Sequence, residues 1–253
     1  MFSTTDYDKL EQIMEESPEK RELLTRLLDS HKMTLSAISH EIRNPLTLVY
    51  STLQLIESQH PEVTSIRHWD YLKQDVEYMT ALLSELSAYN NSERLQIAKL
   101  DSSDYFRRIA LSFAASITDT PIVFTSQIPS DLPTIEADSL KLREVLFNLL
   151  ANAKDAVLSS FESAHMDTPQ ITFSVRRKEQ QLELSIHDNG CGIPEEDLSQ
   201  IFEPFVTHKP QGTGLGLAIT DRIIRSHKGI ISVTSTPDVG TCFLLTLPIK
   251  QNC

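Results

Sequence analysis

The sequence predicts a multi-domain chain, α and then α/β. An antiparallel helical hairpin pairs with a second copy to make a four-helix bundle, and an α/β sandwich with a mixed sheet follows. Three observations predict this. Leu35, Ile38, Ile42, Leu46, Val49, Leu53 and Ile56 recur three or four residues apart, the stripe of an amphipathic helix. Trp69, Leu72, Val76, Met79, Leu83 and Leu86 repeat the pattern after a short link, as a heptad helix does. Beyond Asn90 the pattern turns mixed, with alternating apolar runs between helical ones.

In chain order, Leu23, Leu24, Leu27 and Leu28 mark an apolar stripe in a charged segment, and Pro18 after Ser17 suits a helix start. Residues 1–30 therefore read as a helical extension, a short helix leading into the next and too small for a core of its own. Residues 31–58 form the first hairpin helix, 59–64 the connection, and the Trp69 stripe the second helix, so the hairpin covers 31–92. One hairpin buries two apolar stripes poorly, whereas two hairpins bury them well, hence a homodimer. Packing of the stripes against the second domain is the alternative. In residues 93–253, a strand is expected over 94–100, a helix over 103–117, and strands over 121–127 and 132–136. A long helix over 140–158, strands over 171–175 and 182–187, a helix over 215–226, and strands over 230–235 and 241–248 complete the domain.

Composition bounds the function. The chain has 253 residues, 40% hydrophobic and 23% charged, with net charge −12. That charge argues against a nucleic-acid surface. No apolar run approaches the roughly 18 residues of a membrane span. The N-terminus lacks the basic start and apolar core of a signal peptide. Three unpatterned cysteines, Cys191, Cys242 and Cys253, fit a reducing compartment. A cytoplasmic protein is expected, or the cytoplasmic part of something larger.

The residues that could carry chemistry cluster in five places. In His40-Glu41-Ile42-Arg43-Asn44-Pro45-Leu46, His40 and Asn44 are four apart and share a helix face, with Pro45 expected to bend the helix beyond them. A solvated face with an incidental His is the plain alternative. Asn148 and Asn152, also four apart, project two carboxamides from one helical face, and an amide oxygen suits Mg²⁺ already carrying phosphate. Asp188-Asn189-Gly190-Cys191-Gly192 follows a strand, where glycines let backbone approach a flat ligand and a carboxylate can accept an exocyclic amine. An ordinary Asn-Gly turn reads the same way. Phe202-Glu203-Pro204-Phe205 before a polar run suits an anchored mobile flap, or simply core aromatics. Gly212-Thr213-Gly214-Leu215-Gly216 opens a helix, an arrangement that binds phosphate through free N–H groups. Its spacing is not the dinucleotide fingerprint.

In this order the five segments closely resemble the phospho-accepting segment and the N, G1, F and G2 boxes of bacterial sensor histidine kinases. The resemblance covers roughly residues 31–250 and looks closest to the nitrogen-regulation and sporulation kinase types. It implies that 31–92 is the dimerisation and phosphotransfer domain and 93–253 the catalytic ATP-binding domain. It implies autophosphorylation of His40 from Mg²⁺-ATP, then transfer to an Asp on the receiver domain of a separate response regulator. Glu41 would orient or deprotonate the imidazole, and Asn44 would serve a phosphatase activity toward that partner. Asn152, assisted by Asn148, would bind Mg²⁺, and Asp188 would read adenine. Gly190, Gly192, Gly212, Gly214 and Gly216 would shape the pocket and the hinges of its flap.

One departure concerns the cation that meets the phosphates. Many relatives place a Lys three residues after the second Asn, where this chain has Asp155. Lys154 stands one earlier, and Lys209 and His208 in the short flap are further candidates. Hydrolytic members of the ATPase superfamily carry a Glu at the place of Asn148, and serine kinases of the anti-sigma type lack the hairpin. A non-enzymatic scaffold would not need Asn152, Asp188 and the last three glycines intact.

Overall fold

The structure, a computed structural model, describes residues 17–163, 168–209 and 212–251. Residues 1–16 of the expected N-terminal extension, Pro210 and Gln211 of the expected flap, and Cys253 lie outside the described residues. The chain divides into two compact units, the first helical with residues 207–215 grouped into it, the second formed by 92–206 and 216 onward.

The helical unit contains α1 (Pro18–Gln59) and α2 (Trp69–Asn91), joined by a 3-10 turn over Pro61–Ser65. The expected short N-terminal helix is no separate element: α1 runs unbroken for 42 residues, about 63 Å. Between Glu19 and Asn44 there is neither Gly nor Pro, and once nucleated a helix propagates until something stops it. α1 also continues through Pro45. The missing N–H there leaves the Glu41 carbonyl without its usual helical donor. Leu53 and Val76 are buried between the helices, while Ile38, Ile42, Val49, Leu72 and Met79 stay close to half exposed. Tyr50 to Glu77, Lys73 to Glu57 and Arg43 to Ser87 tie the two helices together. Within the same unit, the Thr213 hydroxyl donates to Glu85 of α2.

The second unit contains β1 (Ala98–Asp101), α3 (Ser102–Ser116), β2 (Val123–Gln127), β3 (Thr134–Ala137), α4 (Ser139–Glu162), β4 (Gln170–Lys178) and β5 (Gln181–Asp188). A short α5 (Glu195–Leu198), α6 (Gly216–Ser226), β6 (Ile230–Thr236) and β7 (Gly240–Pro248) complete it. The main sheet runs β2-β4-β5-β7-β6, with β2 parallel to β4 and every other pair antiparallel, and β1 pairs with β3 apart from it. It is the mixed sheet that the sequence predicts.

Strand alternation fixes which face is covered. Leu182, Leu184 and Ile186 of β5 and Phe243, Leu245 and Leu247 of β7 are buried on the helix side. Leu142, Val145, Leu146, Leu149 and Leu150 of α4, which packs against β5, and Ile223 of α6 are buried with them. Each fully buried Leu contributes roughly 1.5–3 kcal/mol, and truncating one to Ala costs about 2–5 kcal/mol. The N-terminus of α4 is fixed by Asp138, whose Oδ1 accepts from Leu140 and Lys141 N–H at 3.0 Å while Oδ2 accepts from Gln96 N–H at 2.7 Å.

Candidate functional site

On α1, two four-residue steps point in different directions. Ser39 is 1% exposed and its Oγ donates to the Leu35 carbonyl at 2.8 Å. Arg43 turns inward, and its Nη2 donates to the Leu83 carbonyl and to Ser87 Oγ, both at 3.3 Å. Its Nε is buried without a hydrogen-bond partner. Anchoring Ser39 and Arg43 inward turns His40, Glu41 and Asn44 outward, and all three are exposed. One turn beyond Asn44, a groove of about 400 Å³ lies between the helices, lined by Thr47, Tyr50, Glu77, Thr80, Ala81 and Ser84. The Tyr50 hydroxyl donates to Glu77 there at 2.9 Å.

In the second unit, α4 buries one face through Leu142, Val145, Leu149 and Ala153. This puts Asn148 and Asn152 on its half-buried flank. Asn148 Nδ2 donates to Thr220 Oγ1 of α6 at 2.9 Å. The Asn148 amide also lies against Gly216, where a Cβ would come within 2.5 Å of Oδ1 and 3.0 Å of Nδ2. Gly216 thus serves by having no side chain. Thr220 escaped the sequence reading. Its signal was a hydroxyl four residues after Gly216, on a face otherwise made of Ala218, Ile219, Ile223 and Ile224.

Asp188 ends β5, in register with Ile171 on one side and Thr241 on the other, and is 2% exposed. Burial holds its carboxyl above the ordinary carboxylate range, against the opposing backbone N–H groups of Gly190 and Thr241. The Gly190 N–H reaches Oδ1 at 2.9 Å. Gly190 is packed onto α4, where a Cβ would meet the Ala156 backbone at 2.6 Å, so Asp188 and the Asn helix are held close together. Gly192 has φ +70°, in the left-handed region. Cys191 between them is exposed.

Of the two flap aromatics, only Phe202 is anchored, edge-on to Phe243 with centroids 6.5 Å apart. Phe202 is half-buried, whereas Phe205 is 51% exposed with φ +67°, so neither Phe is a fully buried core aromatic. Lys209, Gly212 and Gly214 fall in the 207–215 segment. There the Gly212 N–H donates to the Lys209 carbonyl at 3.0 Å and the Lys209 N–H to Thr207 Oγ1 at 3.1 Å. His208 is exposed in the same segment, Lys154 is half-buried on α4 and Asp155 is exposed beside it.

A cation held here would meet uncharged amide oxygens on α4. Among the described residues no group of three or more His, Cys, Asp or Glu could hold a metal. The donor set fits Mg²⁺ that arrives with its phosphates.

Residues 30–94 match the His Kinase A (phospho-acceptor) domain family. Residues 137–251 match the Histidine kinase-, DNA gyrase B-, and HSP90-like ATPase family. Among curated proteins, the signal transduction histidine-protein kinase AtoS of Escherichia coli K12 is 31% identical over 85% of this chain and 34% of its own length. The adaptive-response sensory kinase SasA of Prochlorococcus marinus MIT 9303 is 34% identical over 92% of this chain and 63% of its own. The chain thus spans from about a third to just under two thirds of these relatives. Full-length ShkA in complex with AMPPNP shares the fold, with TM-score 0.70 over 87% of this chain and 46% of that one, at 23% identity. No helix among the described residues is long and apolar enough to cross a membrane.

Proposed function

The chain belongs to the histidine kinase family, and from that premise we propose that it phosphorylates its own His40 from ATP. The phosphoryl group then passes to an Asp of a separate response-regulator receiver. The observation that carries the reading is the outward face of α1, where His40, Glu41 and Asn44 stand exposed while their neighbours Ser39 and Arg43 are fixed inward.

The exposed imidazole nitrogen of His40 attacks the γ-phosphorus. The P–N bond forms as the P–O bond to ADP breaks, and Glu41 takes or orients the proton of the other ring nitrogen. Asp188 accepts the exocyclic amine of adenine, which its burial beside Gly190 makes selective. Asn152 and Asn148 would hold Mg²⁺, which supplies neutralisation of phosphate charge. Asn148 is an amide and no base, so it activates no water and ATP is kept for His40. Lys154, His208 and Lys209 are the candidates to meet the phosphates. Gly190 and Gly192 shape the adenine side, and Gly212, Gly214 and Gly216 shape the flap and the phosphate side.

The homodimer follows from the apolar residues left exposed along α1 and α2. We place the domain boundaries at 1–30 for the N-terminal extension, 31–92 for phosphotransfer and 93–253 for catalysis. The groove beyond Asn44 is where the receiver docks. Asn44, exposed one turn from His40, supports a second activity, holding a water in line with the receiver's phospho-Asp.

Labelled ATP followed by acid and base treatment tests the main reading. Acid-labile, base-stable label on the wild type, absent from His40→Gln that still binds ATP, is expected. Label persisting in His40→Gln overturns it.

A further inference from the structure

The carboxamide of Asn148 is held at two points one turn apart on α6. Gly216 lies flat against it, and Thr220 accepts from its Nδ2 at 2.9 Å. A carboxamide has a donor end and an acceptor end, and a free one can present either by a half-turn about its last bond. Only the oxygen end can serve a cation. Thr220 is 1% exposed, on a helix face that is otherwise apolar. Val would fill the same space there without bringing a polar atom that needs a partner. In the observed arrangement its hydroxyl accepts from the Nδ2 end of Asn148, which leaves Oδ1 as the end for a ligand.

We infer that Thr220 is a positioning residue for the nucleotide's Mg²⁺. It fixes the Asn148 amide with Oδ1 as the free acceptor, between α4 and Gly216 at the start of α6. The inference rests on the proposed metal role of Asn148 and adds to it the residue that makes that role directional. Without the hydroxyl, the amide rotates freely and presents its NH₂ end part of the time, which repels a cation. The effect is confined to the Mg²⁺-dependent share of binding, because Thr220 itself touches no part of the nucleotide in this reading.

The test uses the full chain and the non-hydrolysable analogue AMPPNP, titrated calorimetrically with Mg²⁺ and again in EDTA. Thr220→Val should weaken Mg²⁺-dependent binding about tenfold, the lower end for a residue that orients a metal ligand, and leave binding in EDTA unchanged. Thr220→Ser, which keeps the hydroxyl, should bind as wild type. Asn148→Ala should show the same Mg²⁺ defect, and the double variant Asn148→Ala/Thr220→Val should be no worse than Asn148→Ala alone. Thermal melts accompany each variant, and Thr220→Ala provides a second hydroxyl-free form should Thr220→Val fold poorly. Normal Mg²⁺ dependence in both hydroxyl-free variants, with Asn148→Ala impaired, overturns the role of Thr220 and leaves that of Asn148 standing. Normal Mg²⁺ dependence in Asn148→Ala overturns both. Additive defects in the double variant show that Thr220 acts by another route, and the inference falls.

Discussion

At the scale of single residues, two buried ionisable groups pull stability in opposite directions with pH. Asp188 is held above the ordinary carboxylate range by burial. A raised carboxyl favours the fold where it is protonated, and that contribution is lost as pH rises through its folded value. At neutral pH the ionised form is therefore kept at the expense of stability, as expected of a ligand-reading group. Asp188→Asn should raise the melting temperature, by about 2–4 °C for each kcal/mol recovered, while ATP binding is lost in calorimetry. His227 is fully buried, its Nε2 accepting from the Asp138 N–H at 2.9 Å and its Nδ1–H donating to the Ile223 carbonyl at 2.8 Å. Burial holds its pKa below the ordinary value, with the Ile223 bond and Asp138 opposing. The unfolded chain takes up a proton near pH 6.5 and the folded chain does not, so stability present above that pH is lost as pH falls below it. Melts of the wild type should drop between pH 7.5 and 5.5, and the drop should shrink in His227→Gln. On α1, Glu41→Gln should slow autophosphorylation by about a hundredfold or more yet keep receiver dephosphorylation. Asn44→Ala should do the reverse. Equal decay of phosphorylated receiver with Asn44→Ala and wild type would remove the phosphatase role.

At the scale of elements, α1 and α2 show what helix spacing can and cannot reveal. The stripe Leu35 to Ile56 and the stripe Trp69 to Leu86 predict both helices and their connection. The fusion of residue 18 to residue 59 into one helix was not foreseen. The boundary expected at residue 30 coincides with no Gly or Pro, and those residues or a cap are what end a helix. Strand positions in the second unit were legible from alternation to within a few residues. β1 was displaced to Ala98–Asp101 because its partner is β3, a pairing invisible in a local window. Asn148 and Asn152 stand out in the sequence as candidates through their four-residue spacing, and Asp188 through the glycines that follow it. Thr220 is not legible in this way, since a single hydroxyl on an apolar helix face is a weak local signal that acquires meaning only when α6 packs on α4. Along α1, Val49 is 45% exposed on the stripe that needs a partner. Val49→Glu places a charge where the second copy buries apolar surface. It should weaken dimerisation by at least about tenfold in sedimentation, with ATP binding intact.

At the scale of the whole molecule, the two units differ in how they are held together. The second unit has its own core: Phe106, Phe173, Leu142, Leu149, Leu182, Leu184 and Ile186 are almost wholly shielded from water. Among the described residues of α1 and α2 the buried apolar side chains are Leu53 and Val76, while the rest of both stripes is at most partly shielded and Ile38, Ile42, Val49, Leu72 and Met79 are exposed. A unit with a closed core unfolds at a temperature independent of concentration, whereas one completed by a second copy gains stability by mass action. The chain should therefore melt in two transitions rather than one, since connected domains with separate cores need not be cooperative. The transition of the helical unit should rise with protein concentration and disappear as a separate step in Val49→Glu. That of the second unit should stay fixed with concentration and rise instead with AMPPNP. Calorimetry at two concentrations a hundredfold apart, with and without nucleotide, checks both assignments. A single transition indifferent to concentration would mean that the hairpin is complete within one chain, and the homodimer would have to be given up.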